Sequence, residues 1–291
     1  MKNFHKKAFS LVELSMVILI IGILIAGVSR GIDLYQDMRL ATARSLTQNS
    51  RVNRIEDLTM WFESTSEQSF EKPNPNDGDR IALWKNINFK LSNRIDVAQT
   101  TADSKPFYVR NAINGNPALR FDDAQFLAVS DVALFDLAMS DQVTVFFVQK
   151  TICCDSQIST FGWYSSSYRL QAHTANHITF DFGICCTDNV SRITTGSLSQ
   201  DNVNKGIVAT VIRRKELLRI KINGKSIIEN SSNTSVLEQN EKGTFEIGRF
   251  GNAYYLSGYL GEFIIFRRGL TDAEINEVEK YLSKKWAIKI N

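Results

Sequence analysis

This chain has few prolines and cysteines, four of each, and only three histidines in 291 residues. No H-E-x-x-H pair and no phosphate-cradling P-loop is present, which removes two common routes to hydrolysis and phosphoryl transfer. Charge imbalance is also lacking. The formal net charge is +3, and no basic stripe interleaved with aromatics marks a nucleic-acid face. All four prolines lie between Pro73 and Pro117, so nothing interrupts a helix in the first 54 residues.

What the chain does have is a long apolar run. Phe9–Val28 reads FSLVELSMVILIIGILIAGV and holds a single charge, Glu13. A helix of that length is about 30 Å long, the thickness of a bilayer's hydrocarbon core. Lys2, Lys6 and Lys7 precede it. A signal peptide and a plain anchor both leave Glu13 unexplained, because a carboxylate in an apolar span costs about 2.5–3.5 kcal/mol on insertion scales. Such a charge marks a functional residue that needs a partner. Ser29–Arg54 continues without proline, with Ile32, Tyr35, Leu40, Ala43 and Leu46 on a loose helical stripe. The helix is therefore expected to leave the membrane and run on to residue 54. Residues 55–291 suffice for one domain with a substantial core.

Lys6-Lys7-Ala8-Phe9-Ser10-Leu11-Val12-Glu13-Leu14 resembles the type III signal of type IV pilins and pseudopilins. The resemblance implies a leader over residues 1–8, a pilin helix over 9–54 with its spanning part at 9–28, and cleavage between Ala8 and Phe9 by a prepilin peptidase. It also implies N-methylation at Phe9 and pairing of Glu13 with the terminal amine of a neighbouring subunit. Opposite charges attract strongly in a low-dielectric setting, so such a pair fixes an axial register. The implied location is the bacterial inner membrane for the precursor, then a pilus, the cell surface or a periplasmic pseudopilus. Two positions depart from the family pattern: Ala8 stands where glycine is usual, and Arg30 near where many major pilins have proline.

After residue 54 the hydrophobic period changes. Ile55–Phe62 reads as a first strand, and Pro73, Pro75 and Gly78 mark a loop. Asn114–Pro117 is a turn before Ala118–Phe121. Gln142–Gln149 is apolar on both faces, as in a central strand. Tyr168–Ala172 and Ile178–Phe182 alternate like a hairpin, Asn223-Gly224 predicts a tight turn, and Thr244–Gly248 and Tyr259–Phe266 are further strands. Thr271–Glu274 is a capping box opening a helix with Ile275, Val278 and Leu282 on one face, anchored by Trp286. The predicted fold is a long N-terminal helix, an all-β jelly-roll sandwich and a short C-terminal helix.

Several stretches of this domain are similar, in order, to concanavalin A-like and laminin G-like jelly rolls. They are Leu58–Glu63 with Asp77–Trp84, Lys105–Asp122, Arg219–Lys225, Phe245–Arg249 and Gly258–Trp286. That resemblance implies the fold. It leaves function open among lectins, adhesion modules, hydrolases and spacers. The Glu-x-Asp-x-(x)-Glu strand of jelly-roll glucanases is absent, so a non-catalytic head is expected.

Candidate sites follow from residue types. Cys153-Cys154 and Cys185-Cys186 are vicinal pairs beyond strand-like segments. Adjacent cysteines chelate one tetrahedral ion poorly, so two disulfides joining the two loops are expected rather than zinc, with three connectivities open. His173 and His177 are read as lying at a hairpin turn rather than as metal ligands. Trp163, Tyr164 and Tyr168, with Tyr254 and Tyr255, are candidate sugar-stacking aromatics, against core filling as the alternative. Carboxylates at Asn76–Asp79, Asp122-Asp123, Asp181 and Asp188 offer oxygen ligands for calcium, but solvated turns are the expected role and no cofactor is predicted. The expected function is a minor pilin or pseudopilin-like subunit with a head for adhesion or glycan or protein binding. Its expected partners are other pilin subunits, the prepilin peptidase, the membrane and surface glycans. The alternative is an anchored, exported lectin or carbohydrate-active enzyme outside any filament.

Overall fold

The computed structural model describes residues 10–122, 124–152, 159–165, 168–174, 177–184, 192–196, 204–232, 236, 238, 240–251 and 253–290. Helix α1 (Leu11–Gln48) begins on a capping box formed by Ser10 and Glu13 and ends at Asn49. A short 3-10 turn, Val52–Arg54, leads into the sandwich. The N-terminal part of α1 meets nothing: every described side chain from Leu11 to Val28 is exposed. Its last three turns dock, burying Ala43 and Thr47 against the head. Of the predicted stripe, Leu40, Ala43 and Leu46 face the head, while Ile32 and Tyr35 remain exposed.

Among the described residues the strands form two eight-stranded antiparallel sheets. The first sheet runs β14 (Lys225–Asn230), β13 (Leu217–Ile222), β12 (Ile207–Arg214), β7 (Gln142–Thr151), β16 (Ser257–Phe266), β5 (Asn116–Asp122) and β4 (Phe107–Ile113). Strand β1 (Leu58–Glu63) pairs with the second half of β16, opposite Glu262–Phe266. The second sheet runs β11 (Arg192–Thr194), β10 (Ile178–Ile184), β9 (Tyr168–Thr174), β8 (Ser159–Tyr164), β15 (Lys242–Ile247), β6 (Leu127–Ala133), β3 (Val97–Ala98) and β2 (Leu83–Trp84).

The main core lies between the sheets and includes Phe62, Trp84, Phe121, Phe147, Phe161, Trp163, Phe182 and Phe263. A second apolar layer covers the outer face of the first sheet. There Phe146, Val148, Ile212, Ile264 and Phe266 meet Ile275, Val278, Leu282 and Trp286 of helix α2 (Asp272–Trp286). This explains why β7 is apolar on both faces: one face packs into the sandwich and the other under α2. Each large side chain so buried contributes roughly 1.5–3 kcal/mol. Gly261 sits against the indole of Trp286, where a Cβ would lie 2.2 Å from the ring. The Asn223-Gly224 turn has φ of 51° and 81°, both left-handed, as a two-residue hairpin between twisted strands requires.

Candidate functional site

Three regions carry the functional residues. The first is the start of α1. Ala8 and Phe9 lie outside the described residues. Glu13 is exposed and caps its own helix: the Ser10 backbone N–H donates to Glu13 Oε2 at 2.8 Å, and the Glu13 N–H donates to Ser10 Oγ at 3.2 Å. The carboxylate thus stands at the positive end of the helix dipole, inside a sleeve of exposed apolar side chains from Leu11 to Val28. Gly27-Val28-Ser29-Arg30-Gly31 has the spacing of a nucleophile elbow, but it lies within α1 and not at a strand–helix turn.

The second region joins α1 to the head. Arg44 donates through Nε to the Thr65 carbonyl at 2.8 Å and pairs with Glu67 at 2.7 Å, with Asn74 as a third partner. Beneath it is a buried charge cluster. Lys285 Nζ lies 2.9 Å from Glu63 Oε2 and 2.9 Å from Glu262 Oε2, and it donates to Thr47 Oγ1 at 2.7 Å. Glu262 also accepts from the indoles of Trp61 (2.7 Å) and Trp286 (2.8 Å) and from the Tyr281 hydroxyl (2.7 Å). Burial, and then the negative charge of Glu262 and Glu63, raise the Tyr281 pKa well above its ordinary value, so the phenol remains a donor. The cluster draws on α1, β1, β16 and α2, and so clamps the N-terminal helix to the sandwich. The sequence singled out only Trp286 of this cluster, as a helix anchor; Glu63, Glu262 and Lys285 went unmarked, and Glu63 and Lys285 are 222 positions apart.

The third region lies over β8 and β15, the middle strands of the second sheet. Of the sequence-predicted aromatics with described side chains, Tyr164 joins Tyr254 and Tyr255 here through Phe250 and Arg249, and Trp163 does not. Trp163 faces the core, fully buried, and its indole donates to the Val132 carbonyl at 2.9 Å. Strand alternation puts Tyr164 on the opposite, outer face. Tyr164 meets Phe250 edge-on with centroids 5.2 Å apart. Tyr255 packs against Phe126 at 6.4 Å, and Tyr254 is 38% exposed. Arg249 links the group: it pairs with Glu246, lies 3.3 Å from the Phe126 centroid, and reaches the Tyr255 hydroxyl at 3.4 Å. Burial disfavours the Arg249 cation, but the bonds to Glu246 and Tyr255 outweigh it and raise its pKa. Burial, followed by the charge of Glu246, raises the Tyr164 pKa, keeping its hydroxyl protonated. The sequence reading missed Glu246, Arg249, Phe250 and Phe126. A signal for one was present, since Glu246 is the polar residue between core-facing Phe245 and Ile247.

The side chain of Tyr168 and all four cysteines, Cys153, Cys154, Cys185 and Cys186, lie outside the described residues. So do Asp123, Asp188 and the side chain of His173, while His177 is half-buried just before β10. Among the described residues no group of three or more His, Cys, Asp or Glu is placed to hold a metal ion. Asp79 closes its own turn by accepting the Asn76 N–H at 2.8 Å and pairs with Lys72 at 2.8 Å. Asp122 pairs with Arg120 at 2.8 Å, and Asp181 with Arg192 at 2.7 Å. A cleft of about 420 Å³ beside β1, partly lined by Asp57, Lys90, Phe135 and Arg267, has mixed charge, with Asp57 and Arg267 paired at 2.8 Å.

Comparison with known families decides the character of the N-terminus. The family described as prokaryotic N-terminal methylation motif matches residues 3–29. The chain carries a prokaryotic N-terminal methylation motif. Its apolar helix α1 is long enough to cross a membrane, in keeping with anchoring there. No curated protein matches the chain in sequence. The sandwich is similar to domain 4 of AbnA, a GH43 extracellular arabinanase from Geobacillus stearothermophilus, solved in complex with arabinotriose. That match has a TM-score of 0.51 and 12% identity, over 77% of this chain and 98% of the other. It is also similar to the binding domain of Paraclostridial Mosquitocidal Protein 1, with a TM-score of 0.53 and 12% identity, over 77% of this chain and 52% of that one. At this identity the likeness establishes the fold alone: a β-sandwich behind a methylation-motif helix.

Proposed function

We propose that this chain is a low-copy or tip-placed subunit of a type IV pilus or type II secretion-type filament, and that its sandwich is a non-enzymatic head for adhesion or for binding glycan or protein. The observation that carries the reading is the division of α1. The half bearing the methylation motif is bare and apolar, and the other half is fastened to the head by Arg44, Thr47 and the Lys285 cluster. An anchor for a solitary membrane protein needs no Glu13; a helix that enters a bundle of like helices does. In this reading prepilin peptidase cuts between Ala8 and Phe9, and Phe9 is methylated. Glu13 then exchanges its Ser10 N–H for the terminal amine of a neighbouring subunit. A sandwich of two eight-stranded sheets is bulky for a repeating shaft, which favours a rare or terminal position. The precursor resides in the inner membrane and the assembled subunit at the cell surface or in the periplasm. The head's aromatic patch, with Tyr164, Tyr254 and Tyr255 around Arg249, is the surface offered to a ligand.

Glu13→Ala tests the reading. The variant is expected to fold and reach the membrane but to be missing from sheared filaments. Its recovery in filaments at the wild-type level would falsify the proposal.

A further inference from the structure

The outer face of the second sheet carries a polar row. Its members are register neighbours on successive strands: Ala128 beside Glu246, Glu246 beside Gly162, Gly162 beside Gln171, and Gln171 beside Asp181. The flanking Phe245, Ile247, Phe161, Trp163, Leu170 and Ala172 face the core, so these residues share the opposite face. Glu246 and Gln171 are each only 1% exposed. Asp181 is satisfied by Arg192 and by Gln171 Nε2 at 3.1 Å, and Glu246 Oε1 takes Arg249. Two acceptors are left over, Glu246 Oε2 and Gln171 Oε1, both buried without a hydrogen-bond partner. They sit two strands apart, about 10 Å, with Gly162 between them.

Gly162 has no side chain, and its place is filled by Phe250: a Cβ there would lie 2.2 Å from Phe250 Cδ2. An aromatic ring therefore covers a floor flanked by two unpaired acceptors, each of which makes burial unfavourable. The covering loop closes on itself. Phe250 N–H donates to the Tyr254 carbonyl at 3.2 Å, the return bond is 3.5 Å, and Gly251 has φ of +61°.

We propose that this row is a binding site for a neutral carbohydrate, with Phe250 as its movable cover. The inference rests on the reading of the head as a binding module and names its ligand class. Sugar hydroxyls are donors that answer both acceptors, and once Phe250 has swung aside the apolar face of a pyranose stacks on Tyr164 in its place. Among the described residues both arginines beside the row, Arg192 and Arg249, are committed to its carboxylates, so the row favours a neutral sugar over an acidic one.

The test is calorimetric titration of the full chain in detergent micelles with cellotriose, mannotriose and chitotriose, and with trigalacturonate as the acidic comparator. At least one neutral trisaccharide should bind and trigalacturonate should not. Gln171→Leu should weaken binding at least tenfold. Phe250→Ala, which removes the cover, should strengthen it at least threefold. The proposal fails if no neutral trisaccharide binds even to Phe250→Ala, if only trigalacturonate binds, or if neither substitution changes the affinity. Should Gln171→Leu unfold, Phe250→Ala alone decides. Both variants should still enter filaments like the wild type, so a failure of the wild type and of Phe250→Ala to bind any neutral trisaccharide, with assembly intact, sinks this site and leaves the filament reading standing.

Discussion

Lys285 has no exposed side-chain surface, and neither has Glu63; Glu262 has 1%. Removing one partner from such a cluster strands the others without water. Lys285→Met should therefore destabilise the protein by about 3–5 kcal/mol, read from urea unfolding of the detergent-solubilised chain. A triple variant that also carries Glu63→Gln and Glu262→Gln should recover most of that loss, because no lone charge remains. Little at this scale was legible in the sequence. A lysine among Ser283, Lys284 and Trp286 looks like a solvated helix end, and only the fold brings it to two distant glutamates. The aromatic candidates show a different limit. Trp163 and Tyr164 are adjacent in a strand, so the pleat sends them to opposite faces and only one can serve a surface. The structure sends Trp163 inward.

At the scale of elements, local chemistry was more readable. The Thr271–Glu274 capping box forms as the residue types dictate, with Glu274 N–H donating to Thr271 Oγ1 at 3.3 Å and Thr271 N–H donating to Glu274 at 2.8 Å. The Arg268 hydrogen bond, outweighing burial and aided by Thr271, lowers the Glu274 pKa to about 2. A depressed carboxylate stabilises the fold fully above its unfolded pKa, about 4.3, and loses that contribution as pH falls toward its folded value. Thermal melts of the wild type should thus drop between about pH 4.5 and 2, and Glu274→Gln should lack this part of the slope. Thr271→Ala should cost about 1 kcal/mol at neutral pH. The tight turns at Asn114-Gly115 and Asn223-Gly224 were legible for the same reason: few residues accept the left-handed φ they show. Strands β4, β6 and β8 were harder to see. In β6 the buried and exposed positions do not alternate strictly, and β8 is fully buried at five of its six positions, so neither shows a clean period.

The whole molecule is a rod with a head. Helix α1 is 38 residues, about 57 Å, and its unpartnered portion carries the methylation motif. This division was visible in the sequence, because an uninterrupted apolar run and the basic-small-Phe-Glu spacing occupy contiguous positions. The two-sheet sandwich followed from strand spacing and ordered signatures. The polar row under Phe250 was not visible, because it takes one residue from each of several strands whose register no local pattern encodes. The account turns on whether the N-terminal segment is processed for assembly. N-terminal mass spectrometry of the protein recovered from producing cells tests this most directly. A mature chain beginning with N-methylated Phe9 is the predicted result. A chain that begins near Val28, or still carries Met1, contradicts the account and makes this an exported or simply anchored sandwich.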